Sequence, residues 1–128
     1  MNNFNISTLE EALVKMVKSW SIADAVYTAR PKAAPKCDSF VIVSVVNGVT
    51  DRKAIGSTYV AIDLFAKDIA NFKNGKKLGW MYDRFVELFP ASFEGYIFET
   101  TPNVLGDVAD DYGFHARMIH VKTILKVK

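Results

Sequence analysis

The sequence is short of the groups on which most enzyme and metal chemistry depends. It holds one cysteine, Cys37, in 128 residues. That excludes a disulfide within the chain and any zinc site built from several thiolates. No apolar run approaches the roughly 20 residues of a membrane-spanning helix. The densest run, residues 40–46, is too short. The opening Met1-Asn2-Asn3-Phe4-Asn5 lacks the charged-then-apolar order of a secretion signal. The net charge is +2, too little by itself to hold nucleic acid. Internal repeats, low-complexity tracts and a flexible linker are all missing. These absences lead to the expectation of a soluble, cytoplasmic protein without catalytic machinery or cofactor, in which residues 1–128 form one domain.

What is present is enough to build a core. Half of the residues are hydrophobic and 23% are charged, a balance that disordered chains do not have. A domain of this length buries roughly two-thirds of the surface of its unfolded chain.

The first helix is the clearest element. Ser7-Thr8-Leu9-Glu10 reads as a capping box, in which the Ser7 hydroxyl accepts from the Glu10 backbone N–H. Leu9, Ala12, Leu13, Met16, Val17 and Trp20 then recur in steps of three and four, one face of a helix. Residues 25–28 predict a short strand, and Pro31 and Pro35 predict an extended loop after it. Residues 39–46 carry apolar side chains on both faces, the mark of a strand covered on both sides. A polar connection over 47–57 leads to a strand at 58–66. There Val60, Ile62, Leu64 and Ala66 point toward the helices, and Tyr59, Ala61, Asp63 and Phe65 form a mixed opposite face suited to a partner.

A polar connector ending at Asn74-Gly75 precedes a second helix over 76–89, stopped by Pro90. A strand over 93–101, a loop over 102–113 and a strand over 114–127 complete the chain. On the last strand Met118, His120 and Ile124 share one face, opposite Ile119, Val121 and Leu125. The predicted class is α+β: a mainly antiparallel sheet of about four to five strands, with two helices packed on one face. A strand of about 14 residues spans about 45 Å, more than a compact domain of this size accommodates straight. The last hairpin is therefore expected to bend strongly or to project and need a neighbour.

Candidate sites are few. Asp107, Asp110 and Asp111 cluster before Gly113, but no calcium-loop spacing accompanies them, and a solvated acidic hairpin tip is the expectation. His115 and His120 lie five apart on one strand, hence on opposite faces, and do not act as a pair. Lys73, Lys76 and Lys77 gather at the start of the second helix without phosphate-loop spacing. They read as a solvated edge, and with Arg84 they form the basis of a nucleic-acid alternative, ranked last. Cys37 reads as an incidental thiol, and Trp20 and Trp80 as packing residues.

The whole arrangement resembles the tail terminator, or tail-completion, proteins of long-tailed bacteriophages. The likeness rests on the amphipathic helix over 9–20, the Pro-containing approach to a strand over 35–46, and the run Thr58-Tyr59-Val60-Ala61-Ile62-Asp63-Leu64-Phe65-Ala66-Lys67-Asp68. It continues with the helix over 76–89 and the ending Asp110-Asp111-Tyr112-Gly113-Phe114-His115-Ala116-Arg117-Met118-Ile119-His120-Val121. The resemblance implies a non-enzymatic subunit of a homo-oligomeric ring, commonly a hexamer. Such a ring caps the tail tube and joins it to the head–tail connector, in the host cytoplasm during assembly and then in the virion tail, with no membrane partner. DNA passes without specific binding. The expected subunit interface is Tyr59, Phe65, Met118, His120 and Ile124, together with the last hairpin. Asp107, Asp110 and Asp111 are expected in a loop facing the lumen or a partner, repelling phosphate. The alternative is a small-molecule-binding α+β domain with a deep apolar pocket near Tyr82 and His115.

Overall fold

The computed structural model describes residues 6–29, 31, 35–45, 50–52, 55–89, 91–93, 96–98, 103–110 and 112–126, with backbone alone at 6–8, 50–52, 55–58, 93, 103 and 123–126. The elements in chain order are α1 (Ile6–Trp20), β1 (Ala25–Tyr27), β2 (Ser39–Val45), β3 (Thr50–Arg52) and β4 (Ile55–Lys67). There follow α2 (Gly75–Glu87), β5 (Ala91–Phe93), β6 (Tyr96–Phe98), β7 (Asn103–Ala109) and β8 (Phe114–Lys126). The class is α+β, with a sheet that is antiparallel except where β1 runs parallel to β2.

The sheet runs β1-β2-β4-β8-β6-β5, with β3 on β4 and β7 on β8. Its spine is the pair β4 and β8, matched from Ile55↔Lys126 to Lys67↔Phe114. Both strands supply alternating apolar residues, so each face of the spine is greasy enough to need a cover. On one face Val60, Ile62, Leu64, Ile119 and Val121 join Val41 and Val43 of β2. Leu9, Leu13, Met16 and Val17 of α1 and Leu78, Met81 and Phe85 of α2 close over them. Ser21 ends α1 in the left-handed region at φ 55°, its N–H donating to Lys18 O at 3.3 Å. Asn74 begins α2, its Oδ1 accepting from Lys77 N at 3.1 Å.

On the opposite face Phe40, Ile42, Phe65, Phe114 and Ala116 form a second, smaller core, flanked by Ala25, Tyr27 and Cys37. Phe40 stacks on Phe65 at 4.4 Å and meets Phe114 edge-on at 5.1 Å. Backbone ties hold this cover in place. The Asp24 N–H donates to Ser39 Oγ at 3.1 Å, and the Asp38 N–H to Asp24 Oδ2 at 3.1 Å.

Four expectations change. The last strand does not project: β8 pairs with β4 along its length, with β7 on one half of its other edge and β6 on the other half. The stretch expected as a loop over 102–113 is mostly strand β7, because Gly106, at φ 131° beside a register shift, makes a bulge rather than a turn. Where a single strand is expected over 93–101, the described residues form two short antiparallel strands, β5 and β6, paired from Ala91↔Phe98 to Phe93↔Tyr96. The polar connection over 47–57 contains β3, which pairs with the first residues of β4.

Candidate interaction surfaces

The residues expected at a subunit interface separate in the structure. Phe65 is only 2% exposed and lies in the second core, so no partner reaches it. β1 and the segment around Cys37 cover this face, which the sequence leads one to expect open. Tyr59 is 43% exposed on that same face, farther along β4. Met118 and His120 are half-buried there, with Asp63 opposite Met118 and Ala61 opposite His120. The side chain of Ile124 lies outside those described.

The acidic residues also divide. Asp107 is not in a loop facing a lumen but in β7, and Arg117 of β8 grips it with both ends of its guanidinium. Nε donates to Oδ1 at 2.9 Å and Nη2 to Oδ2 at 3.0 Å. Lys73 Nζ adds a third contact to Oδ2 at 3.1 Å. The Arg117 hydrogen bonds hold the Asp107 carboxyl below its ordinary range, against the opposing pull of burial and with help from Lys73. Arg117 also lies 5.6 Å from the Tyr82 ring centre, so this cluster joins β7 and β8 to α2. Asp110 shapes the hairpin tip, its Oδ1 accepting from Tyr112 N at 2.8 Å and Phe114 N at 3.0 Å. Asp111 lies outside the described residues.

A depression beside this cluster is lined by Lys73, Tyr82, Val104, Gly106, Asp107 and Arg117. It is open, and both of its cations already hold Asp107. It differs from the deep apolar pocket that a small-molecule site near Tyr82 would need. Cys37 packs in the second core, where burial, and then Asp24, push its thiol pKa up, away from the reactive thiolate.

The residues that sequence reasoning passed over lie between β4 and α2. Ile69-Ala70-Asn71-Phe72 closes a two-residue turn. Each end donates to the other, Ile69 N to Phe72 O and Phe72 N to Ile69 O, both at 2.9 Å. Ala70 and Asn71 sit at φ 51° and 69°, the pattern of a type I′ turn. Its two apolar ends face solvent: Ile69 is 63% exposed and Phe72 75%. Trp80, expected in the core, is 46% exposed on α2, with Lys77 Nζ 4.5 Å from its ring centre. Ile69 and Trp80 line one shallow depression together with Asn74, Lys76 and Lys77. The available signal was an apolar pair flanking Ala70-Asn71 inside an otherwise polar connector.

The legs of this turn are anchored. The Asp68 N–H donates to Gly113 O at 2.8 Å, and Asp68 Oδ1 meets His115 Nδ1 at 2.7 Å. On the other side Lys73 is tied to Asp107 and Asn74 caps α2.

No protein-family model and no curated protein matches the sequence. The fold recurs. A solved structure without a functional name superposes with a TM-score of 0.61 at 10% identity, covering 95% of this chain and 93% of that one. At that identity the likeness extends to the fold alone.

Proposed function

We propose that the chain is a non-enzymatic subunit that assembles with copies of itself into a ring of the tail-terminator kind, capping a phage tail tube and meeting the head-side connector. The observation that carries this reading is the Ile69–Phe72 turn. A folded chain with two filled cores nevertheless holds a phenyl ring outward on a short, anchored hairpin. Large apolar side chains fixed in water mark surfaces that another molecule covers. A second exposed strip supports it: Val104, Leu105 and Val108 on β7, which among the described residues pairs only with β8. A closed ring joins two unlike surfaces of each subunit. The last hairpin does not supply such a surface by projecting, since β8 is part of the spine of the sheet.

The test is sedimentation velocity from low micromolar to millimolar concentration. The reading expects one discrete species of several copies, persisting on dilution, and ring-shaped particles in the same fraction by electron microscopy. A single 14.3 kDa species throughout the range would overturn it.

A further inference from the structure

A heterologous ring needs a donor surface and a differently built acceptor on the same chain. The Ile69–Phe72 turn has the properties of a donor. Hydrogen bonds at both legs prevent it from folding back onto its own domain. Its apolar centre, Ile69, Phe72 and Trp80, is fenced by Lys67, Lys73, Lys76 and Lys77. Of the carboxylates around it, Asp68 and Asp107 are engaged by His115 and by Arg117 and Lys73, and Asp38 shares one depression with Lys67, Ile69 and Lys77, which leaves the rim basic by four lysines to one exposed carboxylate. The turn thus offers a greasy tip inside a basic rim, and its rigid geometry loses little conformational freedom on binding.

An acceptor of the opposite character lies elsewhere. Glu10, Glu11, Val14 and Lys15 of α1, with Thr28 just past β1, line a depression of about 380 Å³. Its lining is more apolar than polar, and its two carboxylates sit in the first half of α1. The depression is open and wider than one phenyl ring, and its two glutamates, set beside Lys15, leave it with a net negative charge toward the lysine rim. The donor and acceptor share no residue, so one copy engages two neighbours at once.

We infer that the Ile69–Phe72 turn of one copy seats in the α1–β1 depression of the next, Phe72 entering it and Lys76 facing Glu10 and Glu11. This rests on the self-assembly reading above and assigns its contact. The occupant is a second copy of this chain, chosen by charge complementarity. Burial of Phe72 makes it the anchor of the contact, and its loss weakens association at least about tenfold.

The experiment uses two full-length single-cysteine proteins that both keep Phe72, Cys37→Ser with Asn71→Cys and Cys37→Ser with Thr28→Cys. Mixed and oxidised, they are expected to give a covalent heterodimer that forms faster than either homodimer. Phe72→Asp is expected to shift the assembly midpoint to at least tenfold higher concentration, with a melting temperature equal to that of the wild type where both are dilute enough to be monomers. Lys76→Glu is expected to weaken assembly, and Glu11→Lys in the same chain to restore it. If the wild type assembles while the heterodimer is absent and Phe72→Asp assembles at wild-type concentration, this contact is wrong, the turn no longer supports the ring reading, and self-assembly runs through another surface. If the wild type stays a monomer at every concentration, the ring reading fails and the contact fails with it.

Discussion

The two faces of the sheet are covered by different means. On one, α1 and α2 close over a broad, mainly aliphatic layer; on the other, a stacked pair of phenyl rings and a third set edge-on sit beneath one short strand and the segment around Cys37. The same strands feed both, since β2, β4 and β8 alternate their side chains between them. The difference teaches where surplus apolar surface goes. Helices bring their own apolar stripes and bury long aliphatic rows. A face without helices closes only where aromatics are clustered tightly enough for a short cover, and farther along the strand Tyr59 is left in water. The Ile69–Phe72 turn belongs to neither core.

Substitutions on each face sharpen this contrast. The largest effect is expected from Phe85→Ala, which empties a site between Trp20 and Phe89 under the helices. Urea denaturation should show a loss of about 4 kcal/mol. Phe40→Ala removes the ring that touches Phe65, Phe114 and Tyr27, and should lower stability by about 3 kcal/mol. A loss below about 1 kcal/mol would mean that the second face is a surface patch and not a core.

Asp107→Asn breaks the tie between β7, β8 and Lys73, with an expected cost of about 2 kcal/mol near neutral pH. The sign of its pH dependence follows from the direction of the shift. Because folding lowers the Asp107 pKa below 3.8, its contribution is complete above that value. It is lost as the pH falls through the lower folded value. The stability gap between wild type and variant should therefore close in acid, which thermal melts at descending pH would show. Asn74→Ala removes the cap of α2 and should cost about 1 kcal/mol, read from the same denaturation curves. Phe72→Asp should change the stability of the folded chain by less than about 0.5 kcal/mol, since it touches neither core. An effect as large as that of Phe40→Ala would show the turn to be part of the fold.

Much of this architecture is legible in the residues themselves. The spacing of Leu9, Leu13, Met16 and Val17, and of Leu78, Met81 and Phe85, locates both helices and their buried faces. The apolar runs of β2, β4 and β8 locate the centre of the sheet. What escapes is pairing at a distance. Asp107 looks like a turn former until Arg117, ten residues on, is brought across from it. Phe65 looks like a partner surface because nothing in the alternation of β4 tells that Tyr27 and Cys37 will reach that face. Trp80 looks like a packing residue by its type, yet it stands two residues from Leu78 and one from Met81, which turns it away from the buried stripe of α2. Ile69 and Phe72 are hidden for another reason: two apolar residues in a polar connector carry no period, and only the positive φ of Ala70 and Asn71 turns them outward as a pair.

The account stands or falls on whether copies cover the outward phenyl ring. The most direct measurement is the molar mass of wild type and Phe72→Asp by light scattering, side by side at a concentration where the wild type assembles. The account predicts a multiple of 14.3 kDa for the wild type and 14.3 kDa for the variant. Equal masses for the two proteins would contradict it.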